Sequence, residues 1–317
     1  MLAVILALAS AIGYGSSDFY AGLATRTASV IQVSLLACVA AVVVVLAALP
    51  FAADHRPSGA ALAWGAAAGA GGTLGGIALY LGFRYAAFSV AAPLSAVGTA
   101  GFSVLAGLLW GERPSTLALI GIFLAVPAIA GVSASAGGAE EAGRAEEAEE
   151  AEEAGHAGHA AGAEDGPGRP AAGVAAGRPA AGVAAGLIAG ACFALLLIGL
   201  DRAGSGGGLW PLATAQVAEL AVAVIAAVLT RNLRLPRGRP RRLSVIAGVT
   251  GAAGAICYFY ASHDGLLAVV AVLTSLYPAS TIVLARLRLG ERLTRMRLAG
   301  LTLAAVCVAL IAAGGTG

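Results

Sequence analysis

The chain of 317 residues is 59% apolar and only 11% charged, against about a quarter charged in ordinary soluble domains. A water-soluble fold cannot hide so much apolar surface, and several runs reach the roughly 20 apolar residues that cross a bilayer core about 30 Å thick, so the composition points to a polytopic membrane protein. The formal net charge of +2 identifies no partner, but all 19 basic residues are arginines placed between apolar runs rather than on a face that could track nucleic acid, so no nucleic-acid partner is expected.

Ten spans are predicted in chain order, at about 2 to 22, 29 to 50, 59 to 82, 86 to 110 and 115 to 135, then 183 to 203, 209 to 230, 243 to 262, 265 to 287 and 295 to 314. They read as helices, because barrel strands are about ten residues long with alternating polarity and these runs are twice that, rich in Ala, Leu, Val and Gly throughout. No basic region or small-residue cleavage site marks a removable leader, so Leu2 onward reads as a retained first span. In the third span Gly65, Gly69, Gly71, Gly72, Gly75 and Gly76 leave small faces on which neighbouring backbones can approach closely, and Gly248, Gly251 and Gly254 repeat the habit in the eighth. Pro93 and Pro278 are candidate kinks in the fourth and ninth spans, since proline releases a backbone carbonyl there. Cys38, Cys192, Cys257 and Cys307 each stand alone in an apolar run, a spacing that suits packing and neither a disulfide framework nor a metal site.

Between the fifth and sixth spans the composition changes. Glu140 to Asp165 is Ala/Glu/Gly low complexity, and Gly168 to Ala176 repeats as Gly177 to Ala185, so 137–182 reads as a mostly disordered acidic linker between two halves, 1–136 and 183–317. His156 and His159 sit on this tract without a fixed second shell, and no metal or cofactor is expected.

Val104 to Ala125 recurs from Val283 to Ala304 at an offset of 179 residues, with Gly111-Glu112-Arg113 answered by Gly290-Glu291-Arg292. An internal duplication explains this. Glycine just past a helix end closes the last turn, and Ser115 and Thr294 suit the N-caps of the helices that follow. Glu112 and Glu291 therefore either shape and cap the hairpins or gate transport, and capping chemistry favours the first reading. Five spans per copy place equivalent points on opposite sides of the bilayer, so the second copy is inverted. Sixteen arginines fall in odd-numbered loops and three, Arg56, Arg113 and Arg202, in even ones, which puts the odd loops in the cytoplasm and both termini outside.

This arrangement resembles the EamA-type branch of the drug/metabolite transporter superfamily: two five-span halves, each with a Gly-Glu-Arg turn between its fourth and fifth helices, and Gly13-Tyr14-Gly15-Ser16-Ser17-Asp18-Phe19 closing the first span. The resemblance implies an all-α integral membrane protein of ten transmembrane helices in two inverted five-helix repeats. It also implies secondary transport of small organic metabolites, amino-acid-like or drug-like, often by export, from a multi-pass position in the plasma or inner membrane. The expected partners are a small-molecule solute and the lipid bilayer, with the chain a monomer or weak homodimer.

Inverted repeats place a solute site near the midplane between halves, and an ionisable residue there costs about 2.5 to 3.5 kcal/mol on insertion scales, so it faces a cavity or a partner. Glu219 is the sharpest instance, mid-span, with Gln216 one turn before it. A carboxyl that exchanges its proton as its surroundings change from dry to wet is what a proton-coupled carrier needs; the competing reading is a neutral glutamic acid hydrogen-bonded between helices. Gln32 is a candidate for the same cavity, Asp18 a weaker one near its span end, and Tyr14, Tyr80, Tyr258 and Tyr277 are candidates to line a solute path. Asp201-Arg202 reads as a span-end pair and His263-Asp264 as a tight turn. A non-transporting scaffold or sensor using the linker as its arm is the alternative. An enzyme is not expected, since no nucleophile–base pair, paired catalytic carboxylates or phosphate-binding loop occurs at usable spacing.

Overall fold

A computed structural model describes residues 1–52, 57–85, 88–128, 179–289 and 295–314, and among these every regular element is helical. The helices are α1 (Leu2–Thr25), α2 (Val30–Ala48), α3 (Gly59–Tyr85), α4 (Phe88–Leu109), α5 (Thr116–Ala128), α6 (Pro179–Arg202), α7 (Trp210–Leu229), α8 (Arg239–Asp264), α9 (Leu267–Thr274), α10 (Tyr277–Leu289) and α11 (Arg295–Gly314). Seven described stretches are long and apolar enough to cross a bilayer, α9 and α10 counting as one, and three shorter apolar helices complete the ten. The sixth helix starts at Pro179, earlier than the span expected from residue 183, and proline is well placed there because the first helical N–H has no acceptor anyway. Residues 137–178 of the low-complexity linker lie outside the described residues.

The ninth span is broken. Its helix stops at Thr274 and restarts at Tyr277, so Pro278 enters in the first turn of α10, where proline is tolerated. Pro93 behaves differently: α4 runs unbroken past it from Phe88 to Leu109.

Packing runs small side in and large side out. Alanines such as Ala7, Ala11, Ala68, Ala215 and Ala252 fill the interior, while Ile12, Val43, Phe123 and Leu229 are exposed. In lipid, burying large apolar groups gains little, so helices associate through close backbone approach. At the α1/α8 crossing a Cβ on Gly13 would lie 2.6 Å from the Cα of Gly254, and at the α3/α7 crossing a Cβ on Gly69 would lie 2.9 Å from the Cα of Ala215.

The pairing of helices follows the duplication. The most extensive contacts are α1 on α8 and its repeat counterpart α6 on α3; α2 on α8 is answered by α7 on α3, and α4 on α6 by α1 against α9 and α10. Helices α2 and α7 meet each other, as do α4 and α9, near the pseudo-two-fold axis. Among the described residues, contacts within a half are sparse beside these. Loops expected on one side also meet there: Gly207 lies against Pro57, Gly314 against Ser115, and Gly265 against Ala3. These are the even-numbered loops and both ends of the chain, which form the even-loop face.

The first repeated hairpin has the expected turn. Gly111 adopts φ +91°, its N–H donates to Leu108 O at 3.0 Å, and Glu112 N–H donates to Gly107 O at 3.0 Å. Ser115 Oγ accepts from Ala118 N–H at 3.2 Å and caps α5. The Glu112 carboxylate does not cap its own hairpin. It accepts from the N–H groups of Leu267 at 2.6 Å and Ala268 at 2.9 Å, the start of α9 in the other half. Glu291 and Thr294 lie outside the described residues.

Candidate functional site

Helix α7 carries Glu219 to mid-span because its neighbour α3 presents glycine there. A Cβ on Gly72 would lie 2.6 Å from Glu219 Oε1, so a side chain there would push the carboxyl aside, and Thr73 Oγ1 donates to the Glu219 carbonyl at 3.2 Å. Glu219 is half-buried and lies within electrostatic reach of Tyr14 on α1 and Cys38 on α2. Gln216, one turn before it, is 5% exposed, and its Oε1 has no hydrogen-bond partner among the described residues; the Tyr14 hydroxyl is likewise buried and unpartnered. Buried polar atoms are usually satisfied in folded proteins, and these two unpartnered ones flank the Glu219 carboxyl.

From Tyr14 the same face of α1 leads outward through Asp18, Gly22 and Arg26 at four-residue spacing. Asp18 is exposed yet within electrostatic reach of Tyr14 and Tyr277, and a Cβ on Gly22 would meet nothing within 4 Å. Asp18 and Gly22 are both exposed, so this face of α1 is uncovered by neighbouring helices toward its C-terminal end. It ends at a cavity of about 170 Å³ lined by Leu23, Arg26, Thr27, Arg239 and Leu243, on the face opposite the even loops. A larger concavity of about 570 Å³ follows the outer side of α11 around Leu298, Thr302 and Val306; it is open and apolar, and suits lipid rather than a polar solute.

Tyr277 is half-buried at the head of α10, which is tied to α1 by two hydroxyls: Ser280 Oγ donates to Ala11 O at 2.7 Å and Thr281 Oγ1 to Gly15 O at 3.0 Å. The structure thus brings Glu219, Gln216, Tyr14 and Tyr277 to one region between halves, with the exposed Asp18 at its edge. Gln32 is not in that group. Its Nε2 donates to Asn232 Oδ1 at 3.0 Å, and Asn232 Nδ2 donates to Ser29 Oγ at 2.9 Å, a clasp joining the ends of α2 and α7. Tyr258 is fully buried, its hydroxyl donating to Leu197 O at 2.9 Å, and so braces α8 against α6 rather than lining a path. Tyr258→Phe is expected to cost about 1 kcal/mol of stability, read as a lower thermal midpoint in detergent with solute flux kept. The side chains of Tyr80 and Pro93 lie outside the described residues.

His263 Nδ1–H donates to Phe259 O at 2.5 Å, one turn back on α8. Arg202 stacks 4.5 Å over the Trp110 ring, joining the ends of α6 and α4. Both features belong to the even-loop face.

Glu219 and Asp18 have no repeat counterparts. At the repeat offset the stretch of α2 that answers Gln216 to Leu220 is apolar from Ala37 to Ala41, and Leu197 stands where α6 answers Asp18. The duplication supplies a symmetric frame, and the polar chemistry sits on it asymmetrically. Thr73, Ser280 and Thr281 escaped the sequence reading because a hydroxyl in an apolar helix ordinarily bonds its own backbone, and only the packing shows which ones reach a neighbour.

Interdigitated five-helix halves, a broken helix at mid-bilayer and orphaned polar atoms beside an intramembrane carboxyl define the class of membrane carriers built from inverted repeats. A sequence model of the EamA-like transporter family matches residues 1–134 and 180–313, and the chain belongs to that family. Membrane transport is what this membership implies. A solved structure described only as "Crystal structure of protein" is 16% identical to the chain, with a TM-score of 0.62 over 96% of this chain and 94% of that one; at such identity it shows the fold alone. No curated protein matches.

Proposed function

We propose that the protein is a proton-coupled secondary carrier that exports a small organic metabolite, amino-acid-like or drug-like, by alternating access. The observation that carries this reading is the unpartnered pair Gln216 Oε1 and Tyr14 hydroxyl beside Glu219, between the halves and at the inner end of the open face of α1. Glu219 is the group that exchanges the proton. Gln216, Tyr14 and Tyr277 supply donors and acceptors to the solute, and Asp18 lies on its way to the opposite-face mouth. A polar solute satisfies the orphans when bound, so its affinity draws on hydrogen bonds that the empty site lacks. The plasma or inner membrane is the location that goes with exporting a metabolite.

The test is reconstitution in liposomes with an imposed pH gradient and a screen of labelled amino acids and small metabolites for flux. Accumulation of any solute against its gradient supports the carrier, and flux indifferent to the pH gradient removes the proton from the mechanism. Deleting about residues 140–180 is expected to leave flux within about two-fold, because a low-complexity tract contributes no packed core. A scaffold that works through this arm would instead lose its partner.

A further inference from the structure

We propose that Glu112 is the latch of the even-loop face, a positioning residue that holds this side of the carrier shut and must let go of α9 in each transport cycle. The proposal deepens the carrier reading above and rests on it.

The latch joins the two halves. Glu112 belongs to the α4–α5 hairpin of the first half, and both its carboxylate oxygens accept from the first N–H groups of α9 in the second, at 2.6 and 2.9 Å. A carboxylate on the unpaired N–H groups of a helix start is a charge-assisted contact, favoured by the helix dipole. The hairpin is shaped for it. Gly107 leaves the room in which the carboxyl folds back: a Cβ there would lie 2.9 Å from Glu112 Cδ and 3.3 Å from the Ala268 nitrogen. In the repeat the position of Gly107 is held by Arg286, so the sequence does not repeat the room that glycine gives the Glu112 carboxylate.

What the latch holds is able to move as a unit. Helix α9 is only eight residues long, detached from α10 by the break at Ser275–Leu276, and every one of its residues is buried. It packs on α4, directly below the latch, where Ser103 is fully buried one turn before Gly107 on the same face. With Glu112 in place this seam is closed, whereas the face of α1 from Asp18 to Arg26 is open at the other end. Closure on one side and access on the other is the arrangement that a single two-atom clamp can switch, since it breaks without unfolding any helix.

The test labels a cysteine under the latch. In full-length protein with the four native cysteines replaced by alanine, Ser103→Cys is exposed in liposomes to a membrane-impermeant maleimide from the even-loop side. Glu112→Ala is expected to speed labelling about ten-fold or more, and Gly107→Ala, which displaces the carboxylate without removing it, to do the same; Glu112→Gln, which keeps one acceptor, falls between. Monodisperse elution sets aside any variant that fails to fold, and either substitution alone suffices. Labelling within about two-fold of the parent in a folded variant overturns the latch. Labelling is read without any solute, so absence of flux in the parent would sink the carrier reading and leave this result standing. Where flux is found, Glu112→Ala is expected to lower its maximal rate and keep the half-saturating concentration, because Glu112 does not touch solute. A raised half-saturating concentration at unchanged maximal rate counts against the proposal.

Discussion

Glu219→Gln is expected to abolish the response of solute flux to an imposed pH gradient, lowering gradient-driven transport by at least about ten-fold, since a glutamine of the same shape cannot carry a proton through the dry part of the cycle. The substitution is close to isosteric and keeps an acceptor, so the contact over Gly72 and the bond from Thr73 to the residue 219 carbonyl persist, and insertion in the membrane should be normal. Flux measured across a series of external pH values separates two outcomes. A flattened profile assigns the proton to Glu219. A profile identical to that of the parent would mean that this carboxyl is a neutral hydrogen-bonding group between helices, and that the coupled ion enters elsewhere.

The second large effect concerns the crossings. Gly69→Val and Gly13→Val are each expected to prevent accumulation of folded protein, seen as aggregation on size exclusion and loss of a thermal transition. At Gly69 the added Cβ would meet the backbone of Ala215, and at Gly13 the backbone of Gly254. Overpacking typically costs about 1 to 3 kcal/mol where side chains can shift, and here the obstruction is backbone, which cannot rotate away. Gly22→Val is the control, since its Cβ meets open space. Both crossings join the two halves, so their loss should separate the halves rather than loosen one of them.

Much of the architecture is legible in the chain because the bilayer imposes a length and a composition on every crossing. The ten spans follow from runs of apolar residues between arginines and tight loops, and the Gly-Glu-Arg repeat marks the two halves. The inversion follows from five crossings per half. Even the turn at Gly111 follows from glycine's access to positive φ, and the break beside Pro278 from proline's missing N–H.

The site was legible only where a lone residue violates the apolar pattern. Glu219 announces itself because no other carboxyl stands so far from a span end, and Gln216 follows from helical spacing. Gln32 is also an uncharged polar group within a predicted span, but it lies in the first turn of α2, where the clasp to Asn232, 200 residues away, engages its amide. Tyr14 and Tyr258 look alike in sequence, and the difference is that one hydroxyl finds a carbonyl on α6 and the other finds none.

The sequence by itself determined the membrane setting, the number of crossings, the duplication and its inversion, because each depends on local length, polarity and periodicity. Only the tertiary structure decided that, among the described residues, each half packs chiefly on the other, that Glu112 reaches α9 instead of its own hairpin, and which polar groups remain unpartnered. Those outcomes depend on which glycines let two backbones meet, a property of pairs of helices far apart in the chain.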